Sequence, residues 1–211
     1  MVKYIRQIVC SEGKSMYRVF TFTPKESFGS NTYYVTDGEE AFVVDPSVPI
    51  WQVKEELDAD FIPPSAILLT HGHFDHVETL PRWYEEFLPS VYIGAADAPM
   101  LSDSYLNAHS IFFGSERTYF VPHKTLEEGA ELSLCGAKVS VLSFPGHTPG
   151  CLVYLFSDMA FVGDLVFAGG GYGRFDLPGG DYAALVESLR RVKTLPKGIT
   201  LYPGHGESFK I

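Results

Sequence analysis

The segment Thr70-His71-Gly72-His73-Phe74-Asp75-His76 constrains this chain more than any other. It places three histidines and an aspartate directly after the apolar run Ala66–Leu69. That run reads as a buried strand, so the fold needs a sheet whose end presents the polar cluster. In extended backbone His71 and His73 point to the same side. Asp75 and His76 fall where a helix should begin, and they can face a neighbouring point. Imidazole and carboxylate are ligands of zinc, iron and manganese.

Three more candidates follow predicted strands. His147 lies in Pro145-Gly-His-Thr-Pro-Gly150, after Lys138–Phe144. Asp164 lies in Val162-Gly-Asp-Leu165, after Met159–Val162. His205 lies in Tyr202-Pro-Gly-His-Gly206, after Ile199–Tyr202. Glycine beside each allows close backbone approach. His109 and His123 lack this context and are expected to hold no metal.

Around these motifs, Tyr17–Phe22, Asn31–Thr36 and Glu40–Val44 read as strands, the last two joined at Asp37-Gly38. Val91–Ile93, Ala130–Leu134 and Cys151–Phe156 continue the pattern. Helices are predicted over Trp51–Leu57, over Val77–Leu88 with the stripe Leu80, Tyr84, Phe87 and Leu88, and over Asp181–Leu195 with Asp181 as cap. Residues 97–124 are mixed and aromatic and fit no pattern. Two strand-rich halves with few helices suggest a layered α/β domain.

The 211 residues suit a single domain spanning 1–211. A net charge of −10 argues against nucleic acid as partner. No apolar run nears the roughly 18 residues of a membrane span, and the N-terminal residues show no signal-peptide pattern. Cys10, Cys135 and Cys151 form no C-x-x-C pair and read as inert thiols. The expectation is a soluble cytoplasmic protein acting on a small molecule, with no nucleic-acid or membrane partner.

T-H-x-H-x-D-H, P-G-H-T-P-G, G-D and P-G-H-G, in this order from about Asn31 to Gly206, resemble the metallo-β-lactamase superfamily. Within it the chain is most similar to glyoxalase II-like hydrolases. Gly163-Asp-Leu-Val-Phe167 and Gly173-Arg-Phe-Asp-Leu-Pro-Gly-Gly-Asp181 resemble small bacterial members. The resemblance implies a four-layer αββα sandwich with metals at one edge. It implies that His71, His73 and His147 hold one divalent ion and Asp75, His76 and His205 a second. Asp164 and a hydroxide would bridge them, making Asp75 and Asp164 the catalytic carboxylates. Zinc is the foremost candidate, with iron or manganese served by the same donors.

Two such ions can activate water and clamp a carbonyl, which fits hydrolysis of a small thioester such as a hydroxyacyl-thiol. Asp45 resembles an early aspartate that supports a ligand histidine; a turn aspartate before Pro46 is the other reading. Arg174 resembles a basic position that contacts the glutathione part of the substrate, a surface ion pair being the alternative. Tyr172 and Tyr202 would line the pocket or pack as core. No counterpart of the C-terminal helical domain of glyoxalase II is expected after His205. A mononuclear iron persulfide dioxygenase and a lactone hydrolase are the alternative activities, and a metal-stabilised binding module the non-enzyme one.

Overall fold

Short apolar runs separated by turns build two sheets. The computed structural model describes residues 5–9, 16–24 and 29–211, so Cys10 lies outside them. The first sheet takes seven strands in chain order: β1 (Ile5–Val9), β2 (Met16–Phe22), β3 (Thr32–Thr36), β4 (Ala41–Val44), β5 (Ala66–Leu68), β6 (Ser90–Gly94) and β7 (Lys124–Leu126). The second takes β8 (Glu131–Leu134), β9 (Ala137–Ser143), β10 (Leu152–Phe156), β11 (Met159–Gly163), β12 (Thr200–Pro203) and β13 (Phe209–Lys210), in the order β13-β12-β11-β10-β9-β8. The helices are α1 (Ile50–Leu57), α2 (Phe74–Val77), α3 (Leu80–Phe87), α4 (His109–Phe113) and α5 (Tyr182–Val192).

The period-2 alternation of each strand decides the layers. Tyr33, Val35, Phe42, Val44 and Leu68 of the first sheet meet Val139, Val141, Tyr154, Phe156 and Phe161 of the second in a central core. The intervening residues Tyr34, Val43 and Ile67 point outward against Val53, Leu57, Leu80 and Trp83 of α1 and α3. On the far side Val153, Ala160, Val162 and Leu201 pack on Leu185 and Val192 of α5. The result is the expected four-layer αββα sandwich. Asp181 caps α5 as expected, accepting a hydrogen bond from the Ala184 amide at 3.0 Å. No helix among the described residues is long and apolar enough to cross a membrane.

One expected helix is two. The run Val77–Leu88 breaks at Glu78-Thr79, where the Thr79 hydroxyl donates to the Pro46 and Val48 carbonyls at 2.9 and 2.8 Å. Pro81 lacks an N–H and fits only the first turn of a new helix, α3. Trp83 takes the core position, whereas Leu88 ends α3 in a left-handed conformation and is 71% exposed.

The topology brings the polar motifs to one end. β4, β5 and β6 run parallel, so their C-terminal ends deliver Asp45, the His71–His76 segment and Asp97 side by side. β11 and β12 are also parallel and deliver Asp164 and His205. β9 runs antiparallel to β10, which runs antiparallel to β11. β9 therefore ends at the same place and leads to His147.

Candidate metal centre

Hydrogen bonds on the outer side of each imidazole decide what faces inward. Asp45 is buried, and its Oδ1 accepts the Thr70 amide at 2.8 Å while Oδ2 accepts the Thr70 hydroxyl at 2.6 Å. Having given its proton to Asp45, Thr70 Oγ1 can only accept, and it does so from His71 Nδ1 at 3.1 Å. Asp45 Oδ2 also takes His76 Nδ1 at 2.8 Å. His147 Nδ1 donates to the Arg174 carbonyl at 2.6 Å. In their neutral forms His71, His76 and His147 therefore turn an unprotonated Nε2 toward the interior.

Those bare nitrogens converge. His147 Nε2 stands 3.2 Å from His71 Nε2 and 2.9 Å from His73 Nδ1. His76 Nε2 stands 3.3 Å from Asp164 Oδ1, and neither atom has a hydrogen-bond partner among the described residues. His205 Nε2 lies 3.2 Å from Asp75 Oδ2 and 3.6 Å from Asp164 Oδ2. The donors fall into the groups His71–His73–His147, His71–His76–Asp164 and Asp75–His76–His205, each within 4.8 Å. Lone pairs pressed together in a buried space repel unless a cation lies between them, so these residues fit divalent metal ions.

The electrostatics point the same way. Burial, reinforced by the neighbouring imidazoles, pushes His71 well below the usual histidine range and His73 to about 3. Around His76 burial also opposes charge, but Asp75, Asp45 and Asp164 outweigh it and raise that imidazole well above its ordinary value. Burial opposes charge on Asp164 too, yet His76 and the other imidazoles hold it well below the carboxylate range.

Glycines make room for this density. A methyl group at Gly204 would lie 2.2 Å from Asp164 Oδ1 and 2.5 Å from His76 Cε1. At Gly173 it would strike the Asp164 carbonyl oxygen at 2.1 Å.

Two supporting residues escaped the sequence reading. Asp97 sits in the stretch that fitted no pattern, is fully buried, and bridges two loops. Its Oδ1 accepts the Gly150 amide at 2.7 Å, and its Oδ2 accepts the Thr148 hydroxyl at 2.6 Å and the Gly72 amide at 3.3 Å. The loops carrying His71, His73 and His147 are thus tied to one carboxylate. Asn31 does the same for His205: its Nδ2 donates to the Pro203 and Gly206 carbonyls at 3.1 and 2.9 Å.

The remaining candidates divide. The Arg174 guanidinium is paired with Asp176 through Nε and Nη2, both at 2.7 Å, and lies over the Phe112 ring. Arg174 also lines a small chamber over the donors, whereas half-exposed Tyr172 is not among the described residues lining it. Tyr202 packs between Tyr33 and Phe161 in the core. His109 and His123 join none of the donor groups; their Nδ1 atoms face the Ser115 and Val121 carbonyls at 3.0 and 2.8 Å. Cys135 and Cys151 are buried and free; burial pushes the Cys135 thiol up to about 12 and the Cys151 thiol higher still.

Comparison with known proteins agrees with this geometry. Residues 27–205 match the family model described as metallo-beta-lactamase superfamily. A probable metallo-hydrolase of Bacillus subtilis, YqgX, is 32% identical over 180 residues, covering 84% of this chain and 85% of the relative. The hydroxyacylglutathione hydrolase GloC of Haemophilus influenzae is 33% identical over 192 residues, covering 87% and 88%. Among solved structures, TTHA1623 in a di-iron-bound form superposes with a TM-score of 0.76 at 34% identity, covering 90% of this chain and 92% of that one. With its αββα layers and its histidine and aspartate groups able to bind metal, the chain belongs to the metallo-β-lactamase superfamily of metallo-hydrolases.

Proposed function

We propose that this chain is a binuclear metal-dependent hydrolase of small-molecule thioesters. The observation that carries the reading is the set of imidazole nitrogens, His71, His76 and His147 Nε2, turned inward by the outer hydrogen bonds to Thr70, Asp45 and the Arg174 carbonyl. His71, His73 and His147 would hold one ion and Asp75, His76 and His205 a second. Asp164, within 3.6 Å of His76, His147 and His205, would serve both. When bound, such ions supply Lewis acidity toward a carbonyl oxygen and lower the pKa of water to near neutrality.

The chain's own residues then divide the work. Asp75 and Asp164 accept hydrogen bonds from the attacking water and orient it. A bond forms from water oxygen to the thioester carbon and the C–S bond breaks. The sulfur departs as thiolate and takes up one water proton, the other is released to solvent, and the acid leaves as its carboxylate. A thiolate departs without a dedicated general acid, and the site needs none. Arg174 and Tyr172 are proposed contacts for the thiol half of the substrate, Arg174 after exchanging Asp176 for an anionic group. The protein is proposed to act in the cytoplasm without nucleic-acid or membrane partners.

The test is elemental analysis of purified protein followed by thioester, lactone and persulfide substrates on the same sample. Two ions per chain with thioester hydrolysis are expected. A single tightly held iron with oxygen consumption on glutathione persulfide would overturn the reading.

A further inference from the structure

Two chambers meet at Asp75. The smaller, of about 170 Å³, lies over His73, His147, Asp164 and His205. The larger, of about 620 Å³, extends from Asp75 toward Pro49, Trp51 and Phe113. Phe74 and Asp75 line both, so the larger chamber abuts the donor cluster.

Pro49, Trp51, Phe74 and Phe113 give the larger chamber an apolar wall, interrupted by Gln52 and Thr79. Trp51, at the start of α1, is 61% exposed, and Phe113, at the end of α4, is 49% exposed. These side chains come from distant segments yet face one void. Phe74 forms the floor, packed against Phe113, Phe112 and His109 with ring centroids 5.4, 5.5 and 5.9 Å away. Leaving such surface in water has a cost that an apolar ligand would remove.

The charges at this wall cancel. Arg117 Nη1 pairs with Glu78 Oε1 at 2.6 Å, and Glu78 Oε2 accepts the Tyr119 hydroxyl at 2.9 Å. His109 faces the Ser115 carbonyl through Nδ1. Among the described lining residues no unpaired cation remains for a carboxylate-bearing tail, and Asp75 adds negative charge at the inner end. The volume falls in the range of about 300–1,000 Å³ that holds drug-sized ligands; a short hydroxyacyl group would leave most of it to water.

We propose that this chamber is an acyl-binding pocket and that the substrate is the thioester of a bulky, uncharged, apolar acid, arylacetyl or medium-chain alkanoyl, rather than of a short hydroxy acid. The proposal rests on the thioester-hydrolase reading. With the acyl group against Trp51 and Phe113, the scissile carbonyl reaches Asp75. The thiol half then lies toward Phe112 and Arg174, which line the smaller chamber.

The experiment uses metal-loaded full-length protein and three N-acetylcysteamine thioesters: lactoyl, octanoyl and phenylacetyl. kcat/KM for the better of the two apolar substrates should exceed that for lactoyl by roughly tenfold or more. In Trp51→Ala and Phe113→Ala that ratio should collapse to about threefold or less. As a second readout, a ketone analogue of the octanoyl or phenylacetyl thioester, with CH₂ in place of sulfur, should change the Trp51 fluorescence saturably, and Phe113→Ala should weaken its binding about tenfold. A lactoyl thioester hydrolysed as well as the apolar ones, with no saturable binding, would overturn the pocket assignment and leave the hydrolase standing. Absence of all thioester hydrolysis despite two bound metals would sink the hydrolase reading and this one with it.

Discussion

Asp45 Oδ2 stands 2.8 Å from His76 Nδ1, inside a protein where both side chains are fully buried. The same oxygen takes the Thr70 hydroxyl, which in turn receives His71 Nδ1. One carboxylate thus orients an imidazole in each of two donor groups. Asp45 holds a left-handed backbone, φ 51°, which aspartate tolerates better than most residues. In Asp45→Asn an amide N–H₂ would confront either the Thr70 amide or the His76 N–H. Removing a carboxylate behind a metal-binding histidine costs roughly 10–100-fold in metal affinity. Competition with a chromophoric chelator should show that loss, with far-ultraviolet circular dichroism unchanged; full wild-type affinity would remove Asp45 from the support of the centre.

Gly204 sets a close tolerance at the site. Because a Cβ there would overlap Asp164 Oδ1 and His76 Cε1, Gly204→Ala should push these donors apart while leaving the sandwich intact. The expected result is less than about one tenth of wild-type activity, since displacement of a reacting group by about 1 Å costs on the order of 100-fold, together with lowered metal content. Wild-type metal content and rate would mean that the loop after β12 shifts freely.

Most of this centre was legible from sequence because its donors are rare residue types at strand ends, and because Ala66–Leu69 marks the strand that carries four of them. β9 was legible because it alternates, and β3, β4 and β10–β12 because they are short, mostly apolar runs bounded by turn residues. β7 and β13 were not. They have three and two residues and are held by backbone pairing at the sheet edges, which leaves no periodic signature. The break before α3 was signalled locally by Pro81, which belongs in a helix's first turn, whereas the contact of Thr79 with the Pro46 and Val48 carbonyls is long-range and leaves no periodicity. Asp97 was hidden for a similar reason. Its partners are two backbone amides and a hydroxyl 25 to 53 positions away, and a backbone amide looks the same in every sequence.

Asp97 nonetheless should matter. Burial raises its carboxyl above the ordinary carboxylate range, although three hydrogen bonds to the ionised form oppose that shift. Asp97→Ala would orphan the Gly72 and Gly150 amides, each costing about 1–3 kcal/mol, and would loosen His73 relative to His147. A fall in Tm on the order of 5–10 °C is expected, and kcat should fall more than KM rises. Asp97→Asn keeps two of the three acceptor roles at most and should recover part of both. A variant with reduced Tm but unchanged metal affinity and kcat would make Asp97 a purely structural tie.

Metal binding should release protons, with a sign that follows from the second donor group. Burial opposes charge on His205, but hydrogen bonds to Asp164 and Asp75 raise it from 6.5 to about 9. His76 is raised as well, by Asp75, Asp45 and Asp164 against the opposing effect of burial. The metal-free centre at pH 7.5 therefore carries protons where cations would sit, and each must leave before its nitrogen can bind. Because the folded value of His205 lies above the unfolded one, its contribution to stability is complete below pH 6.5 and is lost as the pH rises through about 9. The Tm of metal-free protein should fall across that window while metal affinity climbs. Calorimetric titration in buffers of different ionisation enthalpy should register about one to two protons released at pH 7.5 as the second group fills. Equal affinity at pH 7 and pH 9 with no proton release would show that His205 and His76 are already neutral before the metal arrives.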